Sequence, residues 1–220
     1  MKKLLAVLLI TSTALASAQT KVVVTEGVVA IDGVSRNSLS TIIEGANAND
    51  VKKAWKKRLK DLKGKVNDKK IIFGDNCQSK EMGDNSFDVY SVVEDATKDG
   101  VKLVVAFDLG GAYLSTVNHP GQYPAGEKIV YTFAVEQAKA AVQVEIDNNN
   151  KILSGLEKDF GNLEKEKAGL EKDIADYEKK IEAAKADIEK NIVNQANKLK
   201  EIEGLKAVLV TLDTKINSVR

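Results

Sequence analysis

The feature that most constrains this chain is an apolar seam recurring every seven residues from Leu156 to Val219. With Phe160 as position a of the heptad, the a positions are Phe160, Lys167, Ile174, Ile181, Ile188, Gln195, Ile202, Leu209 and Ile216. The d positions are Leu156, Leu163, Leu170, Tyr177, Ala184, Asn191, Lys198, Leu205, Leu212 and Val219. Such a stripe, sustained beyond three or four heptads, predicts a coiled coil, because a lone helix would leave the seam in water. Apart from Lys167, its polar exceptions cluster at Asn191, Gln195 and Lys198. No proline follows Pro124, which suits the first turn of a helix, so helical periodicity runs from there almost to Arg220.

The flanking charges bear on what covers the seam. A parallel, in-register pair would set Glu166 against Glu171, Asp173 against Glu178 and Lys180 against Lys185, all like-charged. Acidic flanks come early (Glu164, Glu166, Glu171, Asp173, Glu178) and basic ones later (Lys180, Lys185, Lys206, Lys215). Pairing early with late sequence satisfies both groups. The expectation is therefore an antiparallel hairpin within the chain, or an antiparallel association. Gly169 is the preferred apex; the polar stretches Asn191 to Lys198 and Asp147 to Lys151 are the alternatives.

The opening, MKKLLAVLLITSTALASAQT, has the form of a secretory signal peptide over residues 1–18: a Lys2-Lys3 stub, a short apolar run, and Ala16-Ser17-Ala18 as a cleavage pattern. Its apolar run is too short for a membrane-spanning helix, so the expected product is soluble and periplasmic or secreted, with no transmembrane segment. Without Lys2 and Lys3 the basic side chains number 31 against 32 acidic, which gives no global attraction to nucleic acid. Cys77 is the single cysteine and cannot form an internal disulfide; burial is the expectation.

Residues 19–122 read as an α+β head. KVVVTEGVVAID and SLSTIIEG are paired strand candidates, and KKIIFG, SFDVYSVVED and VKLVVAFDL follow as three more. The last is nearly all apolar, as a central strand buried on both faces would be. Between them, NDVKKAWKKRLKDLKG spaces Val51, Ala54, Trp55, Leu59 and Leu62 as a helix face, with Asn49 as N-cap and Gly64 as C-terminal stop. The fold class is thus α+β: a small antiparallel sheet with one packed helix, then a long helical coiled coil over residues 123–220.

Candidate chemistry is sparse. Lys52 to Lys70 holds ten basic residues against Asp61 and Asp68; Lys52, Lys53, Lys56, Lys57, Arg58 and Lys60 form a candidate anion-binding face. Lysine predominates over arginine, the better bidentate phosphate ligand, and no aromatic is interleaved, so a solvated helix face also explains it. GDNCQSKEMGDN lacks the ligand order of a calcium loop and reads as a hairpin connection. Cys77, His119 and Asp108 have no nucleophile context around them, and DLGGAY lacks a phosphate-loop continuation. No catalytic residue, cofactor or metal is expected.

With VKKAWKKRLKDLKGK, FDVYSVVED and VAFDLGGAYLS preceding the heptads, the chain resembles secreted bacterial proteins of no known activity that join a small α+β head to a coiled-coil tail. By architecture alone it is also similar to trimeric periplasmic chaperones with helical arms, though those are markedly basic. The secreted family brings no known activity; the heptad seam itself leads to the expectation of a non-enzymatic extracytoplasmic structural or interaction protein whose coiled coil binds itself or a protein partner. The alternative is a binding or chaperone-like module for anionic or unfolded clients, through residues 52–70 or the helical arms.

Overall fold

A computed structural model describes residues 21–96 and 100–218. Residues 1–18, expected to be a signal peptide, and Val219 lie outside them. Six strands and two helices follow in order: β1 Thr25–Ile31, β2 Val34–Glu44, α1 Ala48–Asp61, β3 Lys65–Asn67, β4 Ile72–Cys77, β5 Phe87–Asp95, β6 Gly100–Asp108 and α2 Tyr123–Asn217. They divide into two compact units, one reaching Asn150 and the other beginning at Lys151.

The first unit is built on one antiparallel sheet in the order β1-β2-β6-β5-β4-β3. Asp32 and Gly33, both at positive φ, make the two-residue turn between β1 and β2, the geometry that follows the twist of a tight hairpin. β2 then serves two neighbours. Its first half pairs with β1 and its second with β6, where Leu39 faces Val105 and Ile43 faces Val101. β6 is an inner strand, as its apolar run predicts, and is buried on both faces. The connection GDNCQSKEMGDN joins β4 to β5 through a β-bulge between Gly74 and Cys77. Asn76 sits at positive φ there and donates its amide to Asp88 Oδ1 at 2.9 Å.

Side-chain alternation sets the core on one face. Leu39 and Ile43 of β2, Leu103, Val105 and Phe107 of β6, and Phe87, Val89 and Val93 of β5 meet Val51, Trp55 and Leu59 of α1. α1 starts at Asn47, whose side chain caps the amides of Asn49 and Asp50, two residues before the expected cap. The expectation of one covering helix is also corrected. The first turns of α2 bury Ala125, Gly126, Val130, Phe133 and Ala134 in the same core. The 14 residues of α1 are too few to cover a six-stranded sheet, so the strip beside them is closed by the start of the next helix. Phe133 meets Trp55 edge-on with 4.8 Å between centroids. The head therefore takes in the start of the segment assigned to the tail. A boundary at residue 122 marks where α2 begins, whereas the compact unit continues to Asn150.

A smaller cluster lies on the opposite face, where Ile31, Val104 and Ala106 are buried beneath Tyr90, Val92 and Tyr113. Arg36 is buried among them. Its Nε donates to Tyr113 Oη at 3.0 Å, Nη1 donates to the carbonyls of Val34 and Ile31, and the guanidinium lies 4.4 Å from the Tyr90 ring centroid. Carbonyl dipoles and π faces thus solvate a cation that has no carboxylate within 4 Å among the described residues.

The second unit is helix from Lys151 to Asn217, roughly 100 Å at 1.5 Å per residue. The expected fold-back is not formed. α2 is unbroken at Gly169, across Asn191 to Lys198, and across Asp147 to Lys151. A glycine inside a helix costs only about 1 kcal/mol, and the heptad crosses Gly169 without a change of phase. Nothing local forces a turn. Among the described residues, no helix is long and apolar enough to cross a membrane.

Candidate functional site

Two surfaces carry the sequence-derived site residues: the outward face of α1 and the seam of the tail.

Burial orients α1. Trp55 is fully buried and its Nε1 donates to Ser91 Oγ at 2.7 Å, while that hydroxyl donates to the Ile72 carbonyl at 2.8 Å. With that stripe pointing inward, the remaining positions put lysines in water. The six expected anion-binding residues share α1 but not one electrostatic state. Lys56 pairs with Asp68 at 2.5 Å, Lys57 with Asp61 at 3.4 Å, and Arg58 with Glu136. The Lys56 hydrogen bond and charge hold the Asp68 carboxyl below its ordinary range. Lys52, Lys53 and Lys60 have no carboxylate within 4 Å among the described residues.

Two shallow concavities flank this helix. One, of about 440 Å³, is lined by Lys52, Lys56, Lys69 and Lys70 with Asp68 and Glu94. The other, of about 620 Å³, lies on the side of Lys53, Lys57 and Lys60. Lys69 and Lys70 are on the loop before β4, so the fold extends the basic face beyond the helix itself.

Elsewhere Cys77 and Asp108 are held locally, while His119 Nδ1 is buried with no hydrogen-bond partner among the described residues. Cys77 is buried, its thiol pushed up from 9.0 to about 11 by burial first and by Asp88 and Asp75 next. Asp108 accepts the Gly110 amide at 3.0 Å, closing the turn at DLGGAY and returning Tyr113 beside Asp108. Among the described residues, no cluster of three or more His, Cys, Asp or Glu side chains could hold a metal ion.

The tail seam is the larger surface. Leu156, Phe160, Leu163, Leu170, Ile174, Tyr177, Ile181, Ile188, Ile202, Leu205, Leu209, Leu212 and Ile216 are all between 45% and 69% exposed. Strict heptad reasoning misses Ile192 and Leu199, which are exposed to the same degree. The signal was present in the spacing. A step of four from Ile188 to Ile192 shifts the stripe, and consecutive steps of three at Leu199, Ile202 and Leu205 restore it. This stutter and its reversal carry an apolar path around Asn191 and Lys198.

Comparison with protein families, curated proteins and solved structures yields no match for the chain.

Proposed function

We propose that this protein is a non-enzymatic, extracytoplasmic structural or interaction protein whose tail associates through its seam as a coiled coil. The observation carrying this reading is the row of thirteen seam side chains, each at least 45% exposed, on an unbroken helix. Burying a Leu or Ile side chain stabilises by about 1.5–3 kcal/mol, so the summed gain from covering the seam is far larger than typical single-site effects. The extracytoplasmic assignment rests on the leader at residues 1–18. Light scattering over a concentration series tests the first part, with a mass of at least two chains expected. A monomer at every concentration, with the tail fully helical, removes it. An amino terminus at Gln19 in the exported protein supports the second part, whereas retention of Met1 in the cytoplasm removes it.

A second reading is favoured by the basic face, where Lys52, Lys53 and Lys60 have no carboxylate within 4 Å among the described residues and Lys69 lines the same concavity as Lys52. It makes the head a binding module for anionic or unfolded clients. Charge reversal of Lys52, Lys53, Lys56 and Lys57 separates the two: weakened binding to heparin or anionic vesicles supports the module, and unchanged binding eliminates it.

A further inference from the structure

We infer that the occupant of the tail seam is a second copy of this chain, antiparallel, with the two-fold axis crossing between Glu182 and Ala183. This rests on the coiled-coil reading above and adds its partner, direction and register.

The charges select the direction. In a parallel pair, g residues face e residues five positions on, which sets Asp159 against Glu164, Glu166 against Glu171, Asp173 against Glu178 and Lys180 against Lys185. Every one is repulsive; only Glu201 with Lys206 attracts. In an antiparallel pair e faces e and g faces g. The proposed register joins Glu178 to Lys185, Glu157 to Lys206 and Lys180 to Asp187, each formed twice by symmetry. Two contacts are like-charged: Glu166 against Glu201 on the flank and Lys167 against Lys198 in the seam.

The same charges select the register. Moving the axis by half a heptad toward the N-terminus brings Glu178 and Lys180 each against its own copy. Moving it equally toward the C-terminus does the same to Lys185 and Asp187.

Packing agrees. Layers then join Leu153 to Leu212, Leu156 to Leu209, Phe160 to Leu205, Leu163 to Ile202, and Tyr177 to Ile188. The polar seam residues Asn191, Gln195 and Lys198 meet Ile174, Leu170 and Lys167, and on the flank beside them Ile192 and Leu199 lie against the stems of Glu171 and Glu164. The axis falls near the middle of the second unit, so nearly all of Lys151 to Asn217 is overlapped by its copy. This register combines three kinds of attractive flanking pair, apolar layers on either side of one polar stretch, and overlap of nearly the whole unit.

The test attaches spin labels to the purified full chain at Ala186→Cys or Lys200→Cys, both on the outer face, with buried Cys77 retained and unsubstituted protein as the labelling control. In the proposed dimer, the axial part of the label separation grows from roughly 10 Å at residue 186 to roughly 50 Å at residue 200. Dimeric mass with equal, short separations at both sites overturns the antiparallel arrangement and leaves the coiled-coil reading standing. A monomeric mass overturns both. Charge variants give an independent check. Lys185→Glu weakens dimerisation several-fold and Glu178→Lys with Lys185→Glu restores it. In a parallel pair, Lys185→Glu would instead tighten association through Lys180.

Discussion

At the end of α1 a single residue position shows how local and tertiary demands separate. Lys63, not Gly64, adopts the left-handed conformation, at φ 64°. Its amide donates to the Lys60 carbonyl and that of Gly64 to the Leu59 carbonyl, the two bonds of a Schellman motif. Gly64 is there for space: a Cβ would stand 2.4 Å from Cys77 Sγ. Lys63→Gly is therefore expected to stabilise the head by about 0.5–1 kcal/mol, by removing left-handed strain from a residue with a Cβ. Gly64→Ala should destabilise it by about 1–3 kcal/mol through overpacking. In combination with Cys77→Ala, Gly64→Ala should cost less than the two separately, measured by chemical denaturation; additive costs would show that the contact is not the cause. Cys77 carries a pH prediction as well. Its thiol ionises more readily when unfolded, so its contribution to stability is complete below pH 9 and declines as pH rises toward about 11. Alkylation at pH 8 should be slow in the native protein and rapid in denaturant.

At the level of elements, the most informative object is α2, one helix with two different burial regimes. Its first turns are held by the sheet. Gly126 marks the closest approach: a Cβ there would lie 2.2 Å from Leu114 Cδ2, and Leu114 is itself buried. Gly126→Ala should lower head stability by about 1–3 kcal/mol, read from the fluorescence of Trp55, the single tryptophan. From Lys151 onward the helix has no such support within its own unit, and isolated helices depend on packing of an amphipathic face. Ile181→Asp is therefore expected to reduce association at least tenfold and to lower helical ellipticity. The Trp55 unfolding midpoint should not move; a matching fall in that midpoint would mean that the seam residue serves the head fold. The sequence made most of this legible in periodicity: the 3.6-residue spacing around Trp55 and the seven-residue seam both correspond to real helices. β3, with three residues and one apolar side chain, carried too little pattern to be seen.

For the molecule as a whole, the division into two units predicts two kinds of stability. If the tail is stabilised by a second chain, its melting temperature rises with protein concentration, whereas unfolding of the head around Trp55 does not. Circular dichroism and fluorescence followed on the same samples distinguish these. A single coincident transition at every concentration would show that the seam is not covered by association. By itself the sequence determined the α+β class, the inner position of β6, the inward stripe of α1 and the continuity of apolar character along the tail. Each is written in local periodicity, which a chain cannot hide. Tertiary structure alone decided that α2 closes the sheet beside α1, that Lys69 and Lys70 extend the basic face of α1, and that Arg36 is lodged between Tyr90 and Tyr113. It also decided against a fold-back at Gly169. Those outcomes depend on contacts between residues far apart in the chain, or on the small cost of a glycine against an unbroken ladder of hydrogen bonds, and neither quantity is visible in the order of residues.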